Sequence, residues 1–171
     1  LATQNPLEQE GTYPLPEAQL DRFLMQIDVL YPSREAEKKI LIATTGEADA
    51  RPSQAMSADD LQAIQRLVRR MPIGDRIVEA ILDLVRAARP GDGDEAITKH
   101  VAWGPGPRAA QALMLASRAR ALVGGRLSPS LDDVSALAEP VLKHRMALTF
   151  AARAEGQTIS GVIARLAERI G

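Results

Sequence analysis

The chain has 171 residues with a formal net charge of −1, 46% apolar residues, only 3% aromatics, two histidines and no cysteine. Disulfides and thiolate metal sites are therefore excluded, two histidines are too few for a metal cluster, and near-neutrality gives no overall pull toward nucleic acid or an anionic membrane. No apolar run approaches the roughly 20 residues of a membrane span, and the start of the chain has no signal-peptide pattern, so a soluble cytoplasmic protein is the expectation.

In chain order, Pro16 to Leu20 reads as a short helix with proline near its start, where a missing N–H costs nothing. Phe23 to Leu30 then alternates, with Phe23, Met25, Ile27 and Val29 on one side, and reads as a strand ended by Tyr31-Pro32. A lone strand cannot satisfy its own backbone groups, so pairing or swapping with a second copy is expected through its exposed edge. After Pro32 the period changes to 3.6. Ser33 is an N-cap for a helix to about Thr44 with Ala36, Ile40 and Ala43 on one face, and residues 45–56 form a polar loop. Ser57 with Asp60 is a capping box opening a helix whose stripe is Leu61, Ile64, Val68 and Met71. The next helix starts at Asp75 with Val78, Ile81, Val85 and Ala88 inward.

Gly104-Pro105-Gly106-Pro107 is a rigid elbow. It leads into a helix reaching about Val123, apolar at Ala112, Leu115, Ala116, Ala119, Leu122 and Val123, and stopped by Gly124-Gly125 with one glycine in the left-handed cap conformation. Ser130 with Asp133 repeats the capping box before a helix carrying Val134, Leu137, Ala138, Val141 and Leu142. Pro140 inside it should kink or locally unbond it. Thr149 to Ala154 is ambiguous and fits a short strand. Thr158 caps a last helix with Ile159, Val162, Ile163, Leu166 and Ile170 on one side. The fold class is mainly α: a helical bundle after a strand-bearing segment.

No phosphate-holding G-x-x-x-x-G-K-[ST] loop is present, and Asp132 and Asp133 suit helix capping better than a magnesium site. Taken alone the chain is not expected to bind or hydrolyse ATP. Three residues nonetheless have the right chemistry for a phosphoryl site. Asn5 has an amide that both donates and accepts, suited to orienting an attacking water, although an Asn-Pro pair by itself is simply a turn. Arg22 follows a short helix and sits beside Phe23, and its planar fork suits charge spread over a transferring phosphoryl group; the plainer reading is a salt bridge with Asp21, Asp28 or Glu17. Arg108 lies in the first turn of a helix, where free N–H groups already favour anions; the plainer reading is a solvent-facing side chain.

The run Ala2-Thr3-Gln4-Asn5-Pro6, followed by Glu8-Gln9-Glu10-Gly11-Thr12-Tyr13-Pro14-Leu15-Pro16-Glu17-Ala18-Gln19-Leu20-Asp21-Arg22-Phe23, resembles the segment between sensor 1 and the arginine finger of MoxR-type AAA+ ATPases. Further on, Gly104-Pro105-Gly106-Pro107-Arg108-Ala109 is similar to the family's Gly-Ala-Ser-Pro-Arg-Ala, with the two residues before Pro107 changed. Gly125-Arg126 and Val141-Leu142-Lys143-His144-Arg145 extend the likeness, which fades beyond residue 146.

The resemblance implies that residues 1–32 are the last part of an AAA+ core and residues 33–171 the all-helical lid. It implies sensor 1 at Asn5, the arginine finger at Arg22 and, at Arg108, a sensor 2 that contacts its own subunit's nucleotide. It also implies ATP and Mg2+ in the intact protein, a ring of subunits, a client protein and a von Willebrand A domain partner. His144-Arg145 reads as packing or helix C-terminal charge, Trp103 as packing or hinge, and Arg69, Arg70, Arg118, Arg120 and Arg126 as solvated surface. The alternative to an ATPase part is a non-catalytic helical module that binds a partner protein.

Overall fold

A computed structural model describes residues 1–3, 15–46, 52–93 and 95–170. It divides into two compact units, one made of Leu1–Gln26 with Val68–Gly171 and the other of Ile27–Leu67. The described elements are α1 (Glu17–Leu20), α2 (Arg34–Thr45), α3 (Ala58–Arg70), α4 (Asp75–Ala87), α5 (Glu95–Thr98), β1 (Val101–Trp103), α6 (Pro107–Val123), α7 (Leu131–Leu142), a 3₁₀ turn (Lys143–Arg145), β2 (Ala147–Leu148), α8 (Phe150–Ala154) and α9 (Ile159–Ala167). The chain is mainly helical, as its periodicity predicts.

The smaller unit holds α2 and most of α3. Ser33 caps α2 by accepting from the Ala36 N–H at 3.3 Å. Ser57 and Asp60 form the reciprocal box at the start of α3, each accepting from the other's backbone N–H at 3.1 Å. Leu61 and Ile64 of the expected stripe are exposed, and only Met71, beyond the end of α3, is buried.

The larger unit is a bundle of α4, α6, α7 and α9. Its core joins Ile77, Ile81, Leu84 and Val85 of α4 to Leu113 of α6, Val134, Ala138, Val141 and Leu142 of α7, and Val162, Ile163 and Leu166 of α9. Close packing is possible because α6 buries Ala109, Ala112, Ala116 and Ala121, whose small side chains let neighbouring backbones approach. This face differs from the predicted one: Leu115, Ala119 and Leu122 are only half-buried and Val123 is exposed. The repeating small residues carried the core face of α6, and a pattern weighted toward the bulky residues rotates it. In α4, Ile77 and Leu84 are buried while Val78 is half-buried.

The corner between α6 and α7 is pinned by charge. Gly125 takes φ +70° after α6, the left-handed conformation that glycine adopts without strain. Asp133, almost fully buried, completes the capping box with Ser130 and receives both Nη groups of Arg126 at 2.6 and 2.7 Å. The Arg126 guanidinium holds the Asp133 carboxyl well below the usual carboxylate range.

Two expectations are corrected. Residues 23–30 form no strand. The only ladder among the described residues pairs β1 with β2, antiparallel, with Val101 opposite Leu148 and Trp103 opposite Ala147 across an irregularity. Alternation is only half of a strand signal; the other half is a partner backbone, and residues 21–26 spend their carbonyls and an amide elsewhere, with the Gln26 N–H donating to the Pro140 carbonyl at 2.8 Å. Residues 150–154 are a helix, not a strand, because the Thr149 hydroxyl caps it by accepting from the Ala152 N–H at 3.2 Å. The short β2 lies just before.

The elbow shapes the approach to α6. Pro105 is fully buried, and its carbonyl accepts from Arg89 Nε at 2.9 Å. A Cβ on Gly104 would fall inside contact distance of the Ala88 carbonyl oxygen and 2.9 Å from the Arg89 Cα, backbone atoms that cannot swing away. Gly104→Ala is therefore expected to cost about 1–3 kcal/mol of stability. Gly106→Ala, where a Cβ meets nothing within 4 Å, serves as the control. Urea unfolding midpoints of the two variants give the comparison, and equal midpoints would refute the close-approach argument.

Candidate functional site

Helix α1 is a single turn, and the chain leaves it tightly. The Asp21 N–H donates to the Glu17 carbonyl at 2.9 Å, the Arg22 N–H to Gln19 at 3.2 Å and the Phe23 N–H to Leu20 at 3.1 Å. This turn leaves Arg22 exposed and Asp21 half-buried. Arg22 has no side-chain bond among the described residues.

Below the turn lies Arg145, at the end of the 3₁₀ turn that follows α7. Its side chain is 2% exposed, between Leu142 and Met146, both buried. A charge in such surroundings must find partners or destabilise the fold. Its Nε donates to Asp21 Oδ1 at 3.0 Å. One Nη donates to the carbonyls of Leu24 at 3.2 Å and Val141 at 2.6 Å. The other donates to the Asp21 carbonyl at 3.0 Å and, over a short contact, to that of Phe23. A guanidinium has five N–H groups, and all five are used. Burial weakens the proton affinity of Arg145 and Asp21 opposes that effect; an arginine stays charged in either case.

His144, also buried, adds a contact from Nε2 to the same Phe23 carbonyl at 3.2 Å. A carbonyl only accepts, so Nε2 carries the proton. Nδ1 has no partner among the described residues. Burial, reinforced by the Arg145 charge, pushes the His144 pKa down. The pair that reads in sequence as packing or helix C-terminal charge is thus a clamp on residues 21–24. The signal available in the sequence was a cation set among residues otherwise patterned as core.

Arg108 reaches the other oxygen of Asp21, with Nη1 3.5 Å from Oδ2. It sits one residue inside α6, after Gly106 and Pro107. Gly106 offers no side-chain cap, and the first turn holds no acidic residue. Pro107 has no N–H and the Ala109 N–H already donates to the Gly106 carbonyl at 3.0 Å, so what coincides there is the positive end of a 17-residue helix and a half-exposed guanidinium. Such a site receives an anion. The changed Gly106 keeps φ −83°, which other residues adopt freely, so the Gly-Pro-Gly-Pro form of the elbow still delivers Arg108 to a helix start.

The structure places Arg108 against the carboxylate of Asp21, the residue before Arg22, and shows no contact between the two arginine side chains. Asn5 lies outside the described residues. Trp103 is half-buried in β1, beside the elbow. A separate cleft of about 270 Å3, lined by Arg76, Glu79, Asp83, Leu166 and Arg169 among others, carries both signs of charge and shares no residue with this cluster.

Comparison with known proteins supplies context for this geometry. Residues 94–166 match the family model of the AAA lid domain, and residues 1–25 match that of the ATPase family associated with various cellular activities. The chain is 38% identical over 172 residues to Chaperone MoxR1 of Mycobacterium tuberculosis, covering 99% of this chain and 45% of that protein. It is 37% identical to the uncharacterized protein YeaC of Bacillus subtilis, over 95% of this chain and 49% of the relative. It is 30% identical to Protein MoxR of Paracoccus denitrificans, over 86% and 48%. The chain thus spans about half the length of the curated relatives it matches. A crystal structure of a candidate ATPase from Cytophaga hutchinsonii superimposes with a TM-score of 0.89 at 31% identity, covering 98% of this chain and 52% of that one.

The clamp has a pH signature. Because the folded-state pKa of His144 is depressed, the unfolded chain binds the proton more readily. The stabilisation by neutral His144 is then present above the unfolded value of about 6.5 and is lost as pH falls through it. Stability should drop between pH 7 and pH 5.5. In His144→Gln, which keeps an N–H donor but does not titrate, that drop should shrink. Urea unfolding of both proteins at the two pH values measures it, and an identical drop in both would exclude His144 as its source.

Proposed function

The chain belongs to the MoxR family of AAA ATPases, and from that premise we propose that it forms the lid and the adjoining end of the AAA core of an ATP-hydrolysing assembly. Residues 1–32 are assigned to the core end and residues 33–171 to the lid. Arg22 acts as the arginine finger toward the ATP of the next subunit, Arg108 as sensor 2 toward its own subunit's nucleotide, and Asn5 as sensor 1.

The observation that carries this reading is that Arg108, at a helix start, contacts the carboxylate of Asp21, the residue just before the exposed Arg22. Arg108 is exposed at a helix N-terminus without a side-chain cap, beside a half-buried carboxylate. That arrangement suits a ligand with several negative oxygens. The Asp21 carboxylate is a weak, partly solvated partner for Arg108 at 3.5 Å, and a phosphate offers a stronger, bidentate one. The residues present fit the phosphates of a nucleotide; Mg2+ rests on the family alone. ATP supplies the phosphoryl group that passes to water. The chain's own part is electrostatic and positional: Arg22 lays its planar fork against charge that develops on the phosphoryl oxygens, and Arg108 fixes its end of the lid to a phosphate.

A subunit that offers its arginine to a neighbour needs that neighbour, so the intact protein works as a ring. The name of Chaperone MoxR1 supports a chaperone-like role. In this reading lid movement driven by ATP remodels or matures a client protein, and the family likeness alone adds a von Willebrand A domain protein as a partner.

In the intact protein, Arg22→Ala is expected to lower ATP turnover by about 10³-fold or more while nucleotide still binds. Steady-state ATPase rates beside calorimetric nucleotide affinity decide this, and normal turnover would remove the finger assignment. Arg108→Ala is expected to weaken nucleotide affinity and to blunt the nucleotide-dependent change in Trp103 fluorescence. Unchanged affinity together with an unchanged fluorescence response would exclude sensor 2.

A further inference from the structure

An arginine that addresses a phosphoryl group must be held where it acts, yet Arg22 is exposed and its side chain is unbonded among the described residues. Its position is set by its backbone. The four acceptors around it, the carboxylate and carbonyl of Asp21 and the carbonyls of Phe23 and Leu24, all belong to Arg145. The fifth acceptor of Arg145 is the Val141 carbonyl in the last turn of α7. One guanidinium thus ties the residues on both sides of Arg22 to the bundle. The Gln26 N–H on the Pro140 carbonyl, the His144 contact to Phe23 and the packing of Met25 against the core extend the same attachment.

Resting on the reading of Arg22 as the arginine finger, we propose that Arg145 is its positioning residue: it fastens the mount of Arg22 to the end of α7, so that Arg22 moves with the helical bundle. Arg145 itself is buried and touches no substrate. Its fork is needed because five acceptors in fixed directions require five donors; a lysine has three on a flexible stem and cannot bridge both sides of the contact. The arrangement gives movement of the bundle a direct route to Arg22, and Arg108, on α6 of the same unit, is tied to the same carboxylate.

The test uses the intact ATPase. Arg145→Lys is compared with Arg22→Ala and with Val134→Ala, which opens the same core away from the clamp. In Arg145→Lys, kcat should fall by up to about 10²-fold with KM within about twofold, the effect of a misplaced catalytic group. The Gln26 amide should exchange with solvent faster than in wild type. Val134→Ala should lose comparable thermal stability yet keep its kcat within about twofold and its Gln26 protection, because local opening differs from global loss of stability. Wild-type kcat in Arg145→Lys, or a loss no greater than that of Val134→Ala at matched stability, overturns the proposal. Should Arg145→Lys not fold, Asp21→Asn, which leaves every carbonyl acceptor in place, is read the same way: a several-fold lower kcat supports the proposal and an unchanged one overturns it. Turnover lost in Arg22→Ala but normal in Arg145→Lys sinks the positioning role alone. Normal turnover in Arg22→Ala sinks the reading of Arg22 and this proposal with it.

Discussion

A buried guanidinium such as that of Arg145 is an unstable arrangement unless every donor is met. Arg145 meets this constraint with Asp21, Phe23, Leu24 and Val141. The organisation of the site depends on it. The demand for acceptors draws in a segment that has little apolar anchorage of its own: Phe23 and Leu24 are both substantially exposed, and only Met25 packs against the core. Buried ion pairs of this kind add little net stability over an apolar replacement, but they are selective about geometry. Selective geometry is what a segment bearing a candidate phosphoryl-contacting arginine needs.

The same economy of charge recurs at the opposite corner of α6. Asp133 is buried, and Arg126 and Ser130 satisfy it, which fixes how α7 leaves the turn after Gly125. At the other end of α6 the ion pair is more exposed. Gly106 adds no cap, Pro107 takes the first helical position, and Arg108 projects half-exposed beside Asp21. One end of the helix is closed by a buried ion pair, and the other carries a looser, partly solvated one.

The polar pattern of the sequence made much of this legible. Capping residues at Ser33, Ser57, Ser130 and Thr158 mark helix starts because each side chain accepts from a backbone N–H that would otherwise be orphaned, and the structure has all four. The glycine pair at 124–125 marks a helix end for the same local reason. The face of α6 was less legible, since alanines and a serine form the buried side while leucines sit half-exposed. The segment 23–30 misled because alternation of apolar residues says which side chains could share a face, not what their backbone bonds to. The role of Arg145 was hidden because a single cation after a helix has an adequate local explanation in the helix dipole.

By itself, then, the sequence determined the longer helices, their caps, the elbow before Arg108 and the family likeness carried by residues 1–32, all of which depend on neighbours within a few positions along the chain. Tertiary structure alone decided that Arg108 and the carboxylate before Arg22 meet, across 87 residues of chain, and that Arg145 holds the backbone around Arg22 from more than 120 residues away. The physical reason is that a buried charge must be satisfied by whatever acceptors the fold delivers to it. No local pattern records which distant carbonyls those will be.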